Sequence, residues 1–114
     1  MKIKSFLAKP FANYIYRQIK KDMAAAVSDQ HTLFNQLIKS ASKTEFGKDH
    51  HFSSIKSHED FVKQVPVRDY EALKTYIDKI KEGRHNVLWK GQPIYFAKTS
   101  GTTSGVKYIP ITKD

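Results

Sequence analysis

Residues 94–111, Ile94-Tyr95-Phe96-Ala97-Lys98-Thr99-Ser100-Gly101-Thr102-Thr103-Ser104-Gly105-Val106-Lys107-Tyr108-Ile109-Pro110-Ile111, decide how this chain is read. An apolar run, Ile94 to Ala97, enters a loop of hydroxyls and glycines, and a second, Tyr108 to Ile111, leaves it. The pattern predicts a strand, a polar loop and a strand. Gly101 and Gly105 let the backbone come close to a ligand and turn its N–H groups toward an anion. Thr99, Ser100, Thr102, Thr103 and Ser104 add hydroxyl donors, and Lys98 and Lys107 add positive charge. Such a loop suits phosphate oxygens. It is not a Walker A loop, because the Gly-Lys-Ser/Thr ending of that motif is absent. The competing reading is a flexible Ser/Thr/Gly turn that does no more than join two strands.

Upstream the period changes from two to between three and four. A first helix is predicted from Pro10 or Phe11 to about Val27, with Phe11, Ile15, Ile19, Met23 and Ala26 on one stripe. Ser28-Asp29 reads as the cap of a second helix running to about Ser42, striped by Phe34, Leu37, Ile38 and Ala41. Gly47 closes that section, and His50-His51 follow in a polar turn. Ser57-His58-Glu59-Asp60 has the form of a capping box with Asp in the Glu position. It opens a short helix carrying Phe61, Val62 and Val65, which Pro66 ends. Asp69 reads as the cap of the next helix, with Tyr70, Leu73, Ile77 and Ile80 on its buried face and Gly83 as its terminator. Val87-Leu88-Trp89 reads as a short extended run, and Lys90 to Pro93 as a turn.

Composition bounds the remaining choices. The chain has 114 residues, 39% of them hydrophobic, enough for the core of one ordinary domain. It has no Cys, which excludes disulfides and thiolate metal sites and fits a cytoplasmic protein. No apolar run approaches the length of a membrane span. Net charge is +9, and the first 21 residues hold Lys2, Lys4, Lys9, Arg17, Lys20 and Lys21 with no acid. That invites a small basic module binding nucleic acid or an anionic surface. No nucleic-acid motif accompanies it, so we expect neither nucleic acid nor membrane as a partner. The first helix's apolar stripe reads as packing against other protein, an interfacial membrane helix being the alternative. Adjacent His50 and His51 lack ligand spacing, so no metal site is assigned. The pairs Glu59/Asp60 and Asp78/Glu82 read as a cap and a helix surface, not as catalytic carboxylates.

The string TSGTTSGVK, Thr99 to Lys107, resembles the phosphate-binding loop of adenylate-forming enzymes, the acyl-CoA synthetase superfamily. The usual form there is Ser/Thr-Ser-Gly-Thr-Ser/Thr-Gly-x-Pro-Lys, with Lys107 at the lysine position. Ser104 stands where glycine is usual and Val106 where proline is. The SGTTSG variant followed by Lys-x-Ile-Pro resembles one branch, the acyl acid amido synthetases of the auxin-responsive Gretchen Hagen family. That family has plant and bacterial members, and we take this chain as the bacterial type. Thr44-Glu45-Phe46-Gly47, the segment FSSIKSHEDFVKQVPVRDY from Phe52 to Tyr70, and Gly83 to Leu88 extend the likeness over roughly residues 30 to 112.

The resemblance implies an α/β fold: N-terminal helices, then a β-hairpin carrying a phosphate-binding loop, as part of a larger adenylate-forming fold. On this reading residues 1–114 are the incomplete N-terminal part of an adenylation domain, mainly helical over 1–85, with strands and the nucleotide loop over 86–114. It also implies an ATP-dependent ligase that adenylates a carboxylic acid and passes the acyl group to an amine, an amino acid, forming an amide. Thr99, Ser100, Gly101, Thr102, Thr103, Ser104, Gly105 and Lys107 are then the nucleotide-binding residues. ATP and Mg²⁺ are the implied cofactors, and the remaining C-terminal part of the enzyme is an implied partner. An acyl-CoA ligase, with a thiol acceptor, is the close alternative. Open strand edges point to a piece of something larger, so residues 1–114 alone are expected to be catalytically inactive. They supply no catalytic base or nucleophile.

Overall fold

The computed structural model describes residues 2–101 and 105–113. In order, the elements are α1 (Lys2–Ala41), α2 (Glu45–Asp49), a 3₁₀ turn (Phe52–Ser54), α3 (His58–Gln64), α4 (Tyr70–Lys81), β1 (Tyr95–Lys98) and β2 (Tyr108–Ile111). The chain divides into two units, Met1–Phe34 and Asn35–Asp114.

The first unit is helix. The expected break at Ser28-Asp29 does not occur: α1 runs on as one element, with Pro10 inside it. The Ser28 hydroxyl, expected as a cap, turns back onto the helix instead, as does that of Thr32. Ser28 Oγ donates to the Ala25 carbonyl at 2.8 Å, and Thr32 Oγ1 donates to the Ser28 carbonyl at 2.9 Å. Ser and Thr satisfied this way can sit inside a helix. Phe11, Ile15, Ile19, Met23 and Ala26, the predicted stripe, are exposed.

The second unit is built around Val87, 2% exposed, with Tyr76 and Ile80 of α4. Phe46, Leu73, Leu88 and Phe96 pack onto these three. Asp69 caps α4 by accepting from the Ala72 N–H at 2.9 Å. Gly83 ends it at φ +90°, its N–H bonded to the Ile80 carbonyl and the Arg84 N–H to the Lys79 carbonyl. Both helix ends are as the sequence predicts. Burial differs in part: Tyr76, Ile77 and Ile80 are buried, while Tyr70 and Leu73 are only half-buried. The Tyr76 hydroxyl donates to Asp49 Oδ2 at 2.7 Å. Burial, then this bond, raises its pKa, so its contribution to stability holds below the ordinary tyrosine range and is lost as pH climbs through the raised value.

Gly47 does not close a segment; it lies inside α2. Thr44, 1% exposed, caps α2 by accepting from the Gly47 N–H at 3.0 Å and donates its own hydroxyl to the Ala41 carbonyl at 2.7 Å. The other N-terminal amides of α2 find partners across the fold, Glu45 on Asn86 and Phe46 on Val87. Residues 87–89 are a bend, not the extended run expected, and the Asn86 and Val87 carbonyls where it begins serve the start of α2. His50 is buried and stacked on Phe46 with ring centroids 4.0 Å apart. Arg68, which has no acceptor, donates to His50 Nε2 at 2.9 Å, so Nδ1 carries the hydrogen and donates to the Phe46 carbonyl.

The capping box of α3 is formed as read. Ser57 Oγ accepts from the Asp60 N–H, and Asp60 Oδ2 accepts from the Ser57 and Lys56 N–H groups. Glu59 pairs with Lys63, and Asp78 with Lys74 and Lys81, as surface charges. We expect Ser57→Ala to cost about 1 kcal/mol in chemical denaturation. The Lys56 N–H first, then Ser57, hold the Asp60 pKa below the ordinary carboxylate value. A lowered carboxylate pKa stabilises above the unfolded value, so that contribution is to fade as pH falls from near 4 through the folded value, and to fade less in Ser57→Ala.

Candidate functional site

The hairpin places the site. β1 and β2 pair antiparallel, Tyr95 opposite Ile111, Phe96 opposite Pro110, Ala97 opposite Ile109 and Lys98 opposite Tyr108. Strand β2 is where the sequence puts it, and β1 is displaced by one residue toward the loop. Phe96 meets Tyr108 edge-on at 6.4 Å, and Phe96 reaches the core around Val87. The loop therefore rises from a hairpin anchored on α4.

Thr99 and Lys107 close the base of the loop twice. The Thr99 N–H donates to the Lys107 carbonyl at 3.0 Å, and the Lys107 N–H donates to Thr99 Oγ1 at 3.1 Å. Gly101 and Gly105 both have positive φ, +65° and +79°. At Gly101 a Cβ would lie 2.8 Å from Gly105 C and 2.9 Å from both Gly105 O and Val106 N. The two sides of the loop thus touch backbone to backbone, which only glycine permits there. Ser100 is exposed, as is Gly105, and Lys107 is half-buried. Thr102, Thr103 and Ser104 lie outside the described residues.

Helix α4 holds the exit of the loop. The Tyr108 N–H donates to the Tyr70 hydroxyl at 2.9 Å. The Lys107 ammonium stands 5.9 Å from the Tyr70 ring centroid, and the Lys81 ammonium 4.5 Å from that of Tyr108. Sequence reasoning put Tyr70 on a helix's buried face and missed this role. Its position directly after the Asp69 cap was visible; the residue it reaches was not.

A further polar cleft of about 350 Å³ opens beside α2, lined by Lys43, Glu45, Lys48, Asp49, Arg84, His85 and Asn86. Its charges are largely engaged: Glu45 pairs with Lys79 and lies 3.8 Å from Arg84, and Asp49 accepts from Tyr76. Among the described residues no group of three metal-ligating side chains occurs, and no helix is long and apolar enough to cross a membrane.

Residues 15–114 match the GH3 family N-terminal domain. A stretch of 58 residues is 43% identical to indole-3-acetic acid-amido synthetase GH3.15 of Arabidopsis thaliana, covering 49% of this chain and 10% of that protein. The chain thus matches about a tenth of its curated relative's length. That relative is a plant protein, so it lends no support to the bacterial-type placement. No solved structure matches the chain.

Proposed function

The chain belongs to the GH3 family, and from that premise we propose that it contributes the phosphate-binding loop of an ATP-dependent ligase that joins a carboxylic acid to an amine. The observation that carries this reading is the loop base. Two hydrogen bonds between Thr99 and Lys107 and the backbone contact of Gly101 with Gly105 narrow the loop at its foot. A loop narrowed in this way offers its remaining N–H and hydroxyl groups to an anion.

In the first half-reaction a carboxylate oxygen attacks the α-phosphorus of ATP. The bond to the bridging oxygen breaks, and pyrophosphate leaves with its negative charge. The loop's part is to hold the β- and γ-phosphates and to stabilise that charge. Backbone N–H groups near Gly101 and Gly105, the hydroxyls of Thr99, Ser100, Thr102, Thr103 and Ser104, and the Lys107 ammonium are donors of the right kind. Mg²⁺ bound with the nucleotide would offset phosphate charge, and the loop hydroxyls would suit so hard a cation. In the second half-reaction an amino acid amine attacks the acyl carbon and AMP leaves. The relative's name, an amido synthetase, favours an amine over a thiol acceptor. Neither nucleic acid nor membrane belongs to this reading, and a cytoplasmic location accords with it.

The site assignment is tested by titrating MgATP into the 114-residue chain and following its amide resonances. We expect the amides of residues 99–107 to move and those of α3 to stay. Movement confined to the basic residues of the first 21, abolished by moderate salt, would overturn the assignment in favour of a non-specific anionic surface.

A further inference from the structure

We propose that Tyr70 is a positioning residue for this loop, fixing Lys107 through two separate contacts. The inference rests on the reading of residues 99–107 as the nucleotide loop. Lys107 is a long, flexible cation, and its use against a phosphate depends on how much freedom it must lose on binding. Its backbone is pinned on one side by Thr99, to which its N–H donates at 3.1 Å. On the other side the next residue, Tyr108, gives its N–H to the Tyr70 hydroxyl at 2.9 Å rather than to β1. The ammonium itself rests 5.9 Å from the Tyr70 ring centroid, inside the range at which a ring attracts a cation. One side chain therefore holds the peptide after Lys107 with its hydroxyl and steadies the ammonium with its face.

Tyr70 is itself well supported. It is the first residue of α4, directly after the Asp69 cap, and half-buried. At the other end of α4, Lys81 lies over the Tyr108 ring at 4.5 Å. The helix grips the start of β2 from both ends, so the position of the loop's exit is set by α4 and not by the hairpin alone. Tyr70 touches no phosphate on this account; it acts through Lys107 and Tyr108.

The test compares the 114-residue chain with Tyr70→Phe, Tyr70→Leu and Lys107→Ala in MgATP titrations, alongside hydrogen exchange at the Tyr108 amide and the shifts of the Lys107 side-chain methylenes. Tyr70→Phe keeps the ring and loses the hydroxyl. Its Tyr108 amide is expected to exchange about two- to tenfold faster while the methylene shifts persist. Tyr70→Leu is expected to lose both contacts, to release the methylenes from the ring's influence, and to weaken MgATP binding about fivefold, in the same direction as Lys107→Ala. Wild-type affinity in Tyr70→Leu, with Lys107→Ala weakened, would overturn the role of Tyr70 and leave the loop assignment standing. No response of the wild-type loop to MgATP would overturn both. Should Tyr70→Leu fail to fold, unchanged Tyr108 exchange in Tyr70→Phe still overturns the proposal.

Discussion

Gly101→Ala is expected to lower carboxylate-dependent ATP–pyrophosphate exchange by the full-length gene product about 100-fold, with Tm nearly unchanged. Two effects combine. The backbone at φ +65° is one that a side chain adopts at a cost of about 1–2 kcal/mol. The new Cβ would also sit 2.8–2.9 Å from three backbone atoms of Gly105 and Val106, none of which can turn aside as a side-chain end would. The loop must widen at its foot, and the paired bonds of Thr99 and Lys107 lie directly below. A loss of about 2.7 kcal/mol in transition-state stabilisation corresponds to the factor stated. The core around Val87 is made by α4, Phe46 and Phe96 and does not include the loop, so melting is expected to move by only a few degrees. Lys107→Ala, which leaves the backbone alone, should show the same pattern more mildly. Normal exchange in Gly101→Ala would mean that the loop conformation is irrelevant to catalysis.

Gly47→Ala is expected to do the reverse, damaging stability before activity. Alanine ordinarily favours a helix over glycine, and Gly47 lies within α2. Here the Cβ would stand 2.1 Å from the Ala41 carbonyl oxygen and 2.9 Å from its carbon. That carbonyl already accepts from both the N–H and the hydroxyl of Thr44, and Thr44 in turn caps α2 at the Gly47 N–H. Moving α2 away would strain this cap and the bonds from Glu45 and Phe46 to Asn86 and Val87. A cost of about 3 kcal/mol is expected, a large part of the 5–15 kcal/mol typical of a domain. Thermal melting should fall by roughly 10–20 °C. A rise in Tm, as helix propensity alone would give, would show that the close approach is relieved cheaply.

These two glycines mark what a sequence discloses. Both stood out in motifs, TSGTTSG and TEFG, but spacing alone could not say that one meets the backbone across a loop and the other a carbonyl of the preceding helix. Local signals held where the deciding contacts are local: the Ser57/Asp60 box, the Asp69 cap, the Gly83 stop and the second strand. They failed at Ser28-Asp29, where a hydroxyl could serve equally as cap or as a back-bonded helix residue, and no neighbour in sequence decides between these. Val87-Leu88-Trp89 looked like a strand because it is apolar; in the fold it is a bend, with Val87 and Leu88 serving the core and the Val87 carbonyl serving α2. The stripe Phe11, Ile15, Ile19 and Met23 was legible as a stripe. Tyr70 was legible as a helix residue, but its hold on Tyr108, 38 positions away, belongs to tertiary packing alone.

The most direct test of the account is ATP–pyrophosphate exchange by the full-length product of the gene, assayed with a panel of carboxylic acids. Exchange is expected to require both Mg²⁺ and a carboxylate, and amide is expected to form when an amino acid is added. A folded full-length protein that exchanges with no carboxylic acid would contradict it, and residues 99–107 would then be a structural turn.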